Sequence, residues 1–258
     1  MFYFVPFIGM DFYLYFYTDS NLLNFFLLKH RTIYFLAVCA AISMLSGGCR
    51  LHSGKPAITE GIIQYRIDYK ADSAGVPTQL LPKIMTLTFK NYLSMNRITG
   101  FMGLFEFTNY ADANKKVNTT CLKFFDNKYS YTSQKNEPLC CFDPFRDMEV
   151  KKIEGETKVI AGYPCLKAVA RFAGHPDQDF DIYYTEDIKV ESPNLNNPFH
   201  DIEGVLMEFT LKMNKIRMHI TATAVKPMDI PKKSFELSGT YLPISKQKLE
   251  EYLYQLME

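Results

Sequence analysis

Tryptophan is absent from the 258 residues, and neither sign of charge predominates: 29 Lys+Arg stand against 28 Asp+Glu, a formal net charge of +1. Without a basic excess there is no electrostatic footprint for a polyanion, so nucleic acid is excluded as an expected partner. Histidine is scarce at five residues, and none falls in an HExxH or HxH pattern. Zinc-enzyme ligand spacing is therefore missing. So are GxSxG, P-loop and GxGxxG patterns, which leaves no ready hydrolase, phosphate or dinucleotide site. Nothing has βαβ spacing, which argues against a parallel α/β sheet. The residues suggest no cofactor, no metal, no catalytic group and no enzyme.

What is there begins with a leader. Phe and Tyr crowd before residue 49, where Lys29, His30 and Arg31 form a basic cluster. A 14-residue apolar run, Thr32 to Leu45, follows, and then Ser46, Gly47, Gly48 and Cys49. Basic flank, short apolar run and small-residue exit are the parts of a secretory signal. The run is too short to span a hydrocarbon core of ~30 Å as a helix. Small residues ending at a cysteine resemble the lipobox of bacterial lipoproteins, which implies cleavage before Cys49 and its lipidation. The usual Leu three residues before the cysteine is here Ser46, with Leu45 one further back. An ordinary secretory signal with an incidental Cys49 is the alternative. Residues 1–28 precede the basic cluster and carry Asp11 and Asp19. They are either translated upstream DNA, with the true start at Leu28, or a first membrane segment. The expected division is a leader 1–48 (signal 29–48), a tether 49–58 and one domain 59–258. The tether, Arg50 to Pro56, holds no acidic cluster. Acidic residues there mark surface-exported lipoproteins of some Gram-negative bacteria, so an outer-membrane anchor facing the periplasm is expected.

From residue 60 onward, period-2 alternation dominates. Ile63, Tyr65, Ile67 and Tyr69 share one face, and Gln64, Arg66 and Asp68 the other. Met85, Leu87 and Phe89 alternate with Thr86, Thr88 and Lys90. Similar runs cover 166–172 and 180–184, and weaker ones fit 103–110, 117–125, 128–133 and 148–163. The longest are Val205, Met207, Phe209, Leu211, Met213 and then Ile216, Met218, Ile220, Ala222, Ala224, joined at Asn214–Lys215. A sheet with one apolar face must curl or be covered by a helix. Ser245 can cap a helix to Met257, whose Leu249, Tyr252, Leu253 and Leu256 fall at i, i+3, i+4 and i+7. The expected fold is mainly β: a curved antiparallel sheet or half-barrel with a C-terminal helix.

Residues 156–252 carry an ordered set of short motifs. Ile160-Ala161-Gly162-Tyr163-Pro164-Cys165 comes first, then Tyr184-Thr185-Glu186-Asp187-Ile188. Asp201-Ile202-Glu203-Gly204-Val205-Leu206 follows, and then His219 to Lys226. This order resembles the envelope lipoproteins of the DUF4412 type and their GLPGLI-motif relatives, with Glu203 standing where the latter have proline. The resemblance implies a fold of the lipoprotein-carrier (Lol) superfamily, a curved sheet wrapped around helices. It brings no catalytic residues to transfer.

Beyond the leader stand Cys121, Cys140, Cys141 and Cys165. In an oxidising envelope an even number invites a disulfide. Neighbouring cysteines rarely pair, so Cys165 with Cys140 or Cys141 is the expected bridge; four unpaired thiols are the alternative. Cys140, Cys141, Met213, Met218 and His219 also suit Cu(I), although a Met stripe on an alternating strand is far more often core. The apolar stripe has two meanings. It is packed core, or part of it lines a space for an acyl chain or other apolar small molecule, with Met85, Phe89, Met207, Phe209, Met213 and Met218 as candidate lining residues. The functional expectation is a non-enzymatic, lipid-anchored envelope protein that binds a lipid or apolar ligand. The alternative is an accessory protein binding another envelope protein, with a hydrolase third.

Overall fold

A computed structural model describes residues 57–69, 77–133, 137, 139–142, 148–172, 176–213 and 216–256. All of them lie in the compact unit Ser53–Glu258. The leader, Cys49, His52, His175, the Asn214–Lys215 connection and Met257 lie outside the described residues.

Twelve strands form among the described residues: β1 (Glu60–Tyr69), β2 (Ile84–Lys90), β3 (Leu93–Gly100), β4 (Phe105–Asp112), β5 (Val117–Phe124), β6 (Asn127–Thr132), β7 (Met148–Ile160), β8 (Tyr163–Phe172), β9 (Phe180–Thr185), β10 (Val205–Met213), β11 (Ile216–Pro227) and β12 (Leu242–Pro243). A C-terminal helix, α1 (Lys246–Gln255), follows. The strands make one sheet in the order β12-β6-β5-β4-β3-β2-β1-β11-β10-β9-β8-β7. Two meanders, β1–β6 and β7–β11, thus meet where β1 pairs antiparallel with β11. Only the short β12 runs parallel to its neighbour, β6. The fold is mainly β, an open curved sheet with one C-terminal helix, as the alternation predicts. Among the described residues no helix is long and apolar enough to cross a membrane.

The alternation works as expected where it is uninterrupted. In β11, Ile216, Met218, Ile220 and Ala222 are all buried on the inner face, while Arg217 and His219 take the other. Burial of such side chains contributes roughly 1.5–3 kcal/mol each, and it sets the register, because a one-residue slip would turn them to solvent. Two glycines in the 160–206 motifs have backbone reasons. Ala161 and Gly162 form the β7–β8 turn with φ of 49° and 83°. Positive φ at both central positions is what a tight hairpin with the native twist demands. At Gly204 a Cβ would sit 2.5 Å from the Tyr184 ring and 2.8 Å from the Thr185 carbonyl oxygen, so no side chain fits there.

Two departures from simple alternation follow from tertiary structure. In β10 a bulge against β9 falls between Leu206 and Glu208. It absorbs Met207 and changes the phase of the strand. Strand β3 is not anticipated by the alternation at all, because both of its faces are buried. Leu93 and Met95 pack outward against Ile230 and Phe235, from the segment after β11 that crosses the outer face. Its inner face carries the polar Ser94 and Asn96 beside Ile98.

Helix α1 begins where expected. The Ser245 side chain accepts from the Lys248 N–H, and Leu249 and Leu253 are buried beneath it. Tyr252 packs on Tyr129 of β6 with ring centroids 4.8 Å apart, and the Glu250 carboxylate accepts the Cys141 N–H at 3.0 Å. The helix covers only one end of the inner face. Elsewhere the cover is loop: Ile188, Phe199 and Ile202, between β9 and β10, are buried in the same core.

Candidate functional site

Between α1 and the inner face of the sheet the packing leaves a cavity of about 160 Å³. Its walls come from Leu253 and Leu256 of the helix, Phe105, Phe107 and Phe124 of β4 and β5, and Met213, Ile216 and Met218 of β10 and β11. Tyr69, Leu81, Pro82, Ile98 and Phe101 also line it, and among the described residues no formally charged side chain does. The physical cause is a mismatch of extent. A ten-residue helix is about 15 Å long at ~1.5 Å per residue, and it cannot fill the concavity of a curved sheet of this width. An apolar cavity of ~150 Å³ stays dry and accepts a benzene-sized molecule. This one therefore takes one comparable apolar group, well short of the ~300–1,000 Å³ of a site for a larger molecule.

A second cavity of about 40 Å³ lies deeper. Ile98, Phe107, Met213 and Met218 line both spaces and form the partition between them. The deeper space is apolar on the side of Tyr65, Met85, Phe209 and Leu211, and polar on the side of Asn96, Asn109, Asn194, Asn196 and Asn197. Tyr65 spends its hydroxyl on the Leu206 carbonyl at 2.9 Å, and burial raises its pKa, keeping it a neutral donor. Phe209 stands in an edge-to-face arrangement with Tyr65 on one side and Phe199 on the other, at centroid distances of 6.1 and 6.2 Å.

Of the six residues expected to line a ligand space, Met85, Phe209, Met213 and Met218 do border these cavities. Phe89 and Met207 do not. Both are fully buried in the inner core, Met207 at the β10 bulge. Sequence reasoning missed the asparagines and the phenylalanines of β4 and β5. The only available signal for the former was Asn96 and Asn109 at inward positions of strands, where an amide is out of place. His219 is next to Met218 in β11 and so points to the opposite face, beside Glu208 at 3.4 Å. The soft-ligand set is thus split across the sheet. Among the described residues, no group of three His, Cys, Asp or Glu stands ready to hold a metal ion.

The cysteines correct an expectation. Cys140 is bonded to Cys141, and Cys165 is a buried free thiol, as is Cys121. The expected bridge rested on the rarity of pairing between neighbours, which in a strand point to opposite faces. They lie instead in a bend, where Cys141 adopts a φ of 73°. Burial, the largest cause, pushes the thiols of Cys121 and Cys165 up to about 12. Thiolate, the reactive form, is then scarce at neutral pH. In native protein at pH 8, neither Cys121 nor Cys165 should react with iodoacetamide. After unfolding without reductant both should alkylate, and peptide mapping should recover Cys140 linked to Cys141; a linked Cys165 would contradict the arrangement.

No protein-family model matches the chain, and no curated protein does. Among solved structures, the chain is similar to LprF from Mycobacterium bovis at 10% identity, covering 67% of this chain and 89% of that one. The TM-score is 0.27, too low for the likeness to carry an argument.

Proposed function

We propose that this protein is a lipid-anchored, non-enzymatic component of the bacterial cell envelope, of the DUF4412-like kind, that holds an apolar ligand between its curved sheet and C-terminal helix. The observation that carries the reading is the 160 Å³ cavity itself. Had α1 filled the concavity, the stripe of Met and Phe would be core and nothing more. The cavity is walled by aromatic and Met side chains, whose shape and polarisability suit a chain-like apolar guest. Its size selects a single short chain or ring in place of a multi-chain lipid. Native mass spectrometry of protein purified in mild detergent should show an adduct of one small apolar molecule. Protein stripped of it should bind benzene, read by titration calorimetry. A bare mass together with no benzene binding would eliminate the reading.

Anchoring rests on Lys29–Arg31, the short apolar run and the small residues before Cys49, and the lack of acidic residues from Arg50 to Pro56 favours the periplasmic side of the outer membrane. Cys49→Ala should yield an uncleaved or soluble product. Intact mass of the wild-type membrane fraction should show loss of residues 1–48 and a lipid on Cys49; an unmodified cysteine there would refute the anchor.

The accessory reading, binding of another envelope protein, has its own observation. Phe101, Met102 and Leu104, between β3 and β4, and Phe125, between β5 and β6, are exposed together. The Phe125 N–H donates to the Leu104 carbonyl at 2.7 Å, holding the two turns side by side. A photo-crosslinker at Met102 that captures one defined envelope protein would favour it, with Met102→Glu abolishing the contact at unchanged stability.

A further inference from the structure

The inner face of the sheet changes character by rows. Ile98 of β3, Phe107 of β4 and Leu122 of β5 lie opposite one another in register. Two residues along each strand, the row becomes Asn96, Asn109 and Thr120. Ile98 and Phe107 of the first row belong to the partition between the two cavities, and Asn96 and Asn109 of the second line the deeper one. Each group of an amide row on a buried concave face must find a partner or cost free energy.

The amide nitrogens nearby make their hydrogen bonds to other acceptors. Asn96 Nδ2 donates to Asn196 Oδ1 at 3.2 Å, and Asn196 Nδ2 reaches the Asn109 backbone carbonyl at 3.5 Å. Asn194 Nδ2 donates to the carbonyls of Ile202 and Gly204, at 2.6 and 3.0 Å. Asn197 Nδ2 donates to Asn194 Oδ1 at 3.1 Å. What remains is the side-chain carbonyl of Asn109. The residue is only 4% exposed, it borders the deeper cavity, and its Oδ1 is buried with no donor.

We infer that the ligand is an uncharged single-chain amphiphile whose hydroxyl or amide N–H donates to Asn109 Oδ1, while its apolar tail occupies the larger cavity. The inference rests on the apolar-ligand reading above and deepens it. Volume agrees, because about 40 Å³ holds a hydroxyl-bearing carbon, where one water takes ~10–15 Å³ of such space. Electrostatics selects the head. Among the described residues, neither cavity is lined by Lys, Arg, His, Asp or Glu, and against these walls an ionised carboxylate or phosphate would be buried without a counter-charge. The partition of Ile98, Phe107, Met213 and Met218 must part for the chain to pass. Two of its four members are unbranched Met side chains, which adapt most readily.

The test compares 1-hexanol, hexyl methyl ether and hexanoate at pH 8 by titration calorimetry on the stripped, processed chain. The ether matches the alcohol's chain but has no proton to donate. Wild type should bind hexanol about tenfold more tightly than the ether, the difference between a satisfied and an orphaned buried acceptor, and hexanoate more weakly than the alcohol. Asn109→Leu should bring hexanol to the affinity of the ether and leave the ether unchanged. Equal affinities for alcohol and ether in wild type would overturn the Asn109 subsite while leaving the apolar-ligand reading in place. Tightest binding of hexanoate would overturn the uncharged head. Failure of every hexyl compound to bind, with no benzene binding, would overturn both. The wild-type comparison needs no variant, so misfolding of Asn109→Leu cannot shelter the inference.

Discussion

Phe209→Glu should destabilise the fold by several kcal/mol, measured as a shift of the urea midpoint at pH 7, and in cells should leave little protein to recover. Phe209 is 4% exposed on β10, with its ring edges set against Tyr65 and Phe199. A carboxylate there shares the deeper cavity with Met85, Leu211 and Met218, and among the described residues no cationic side chain lines that space. It must stay unpaired or take up a proton, so its pKa should rise strongly. The sign of the pH dependence follows. The unfolded state binds fewer protons at neutral pH than a folded state with a raised carboxyl pKa, so the variant's stability should increase as pH falls from 7 toward 5. A variant with wild-type stability and no pH dependence would mean that this face is open to water. Phe209→Ala is the milder change. The space beside the ring is only about 40 Å³, so truncation should cost close to the full amount for a buried Phe, about 3–5 kcal/mol.

Leu253→Ala should cost about 2–5 kcal/mol and at the same time improve binding of a bulkier apolar guest. Leu253 is 2% exposed on the inward face of α1 and forms part of the wall of the 160 Å³ cavity. Removing its isobutyl group enlarges a space that the surrounding sheet, pinned by its hydrogen-bond ladder, closes only in part. Stability and affinity therefore move in opposite directions. Saturating n-butylbenzene should recover part of the lost stability, since a ligand that binds only the folded state stabilises it by mass action. Urea titrations with and without this guest read both effects. If Leu253→Ala loses stability and binds n-butylbenzene no better than wild type does, the cavity is not where the guest resides. Phe209 cannot make this distinction, because the larger space lies beyond Met213 and Met218.

The fold class, the inner face of β11 and the start of α1 were legible because their causes are local. Alternation at period two, an N-cap serine and apolar residues at helical spacing act over a few residues, wherever the chain then goes. Ile216, Met218, Ile220, Leu249 and Leu253 were all assigned inward on that basis, and all are buried. Local cues failed where two distant segments share a decision. The β10 bulge arises from pairing with β9 and falls at Met207, which is buried in the inner core and borders neither cavity. The outward burial of Leu93 and Met95 in β3 depends on Ile230 and Phe235, more than 130 residues later in the chain. The bend at Cys140–Cys141 is tied to Glu250 of the helix, and no strand-like spacing announces it.

The sequence by itself determined that this is an antiparallel β protein with a terminal helix and one apolar face, and it supplied every residue with which that face could be filled. Only the tertiary structure decided that the face is not filled. A cavity is the difference between two volumes, the concavity set by sheet curvature and the bulk delivered by a helix and loops remote in the chain, and no local pattern encodes that difference. The same holds for Asn109. Its inward place is readable from β4, but the lack of a donor for its carbonyl exists only once Asn96, Asn194, Asn196 and Asn197 have folded around it and spent their own hydrogen bonds elsewhere.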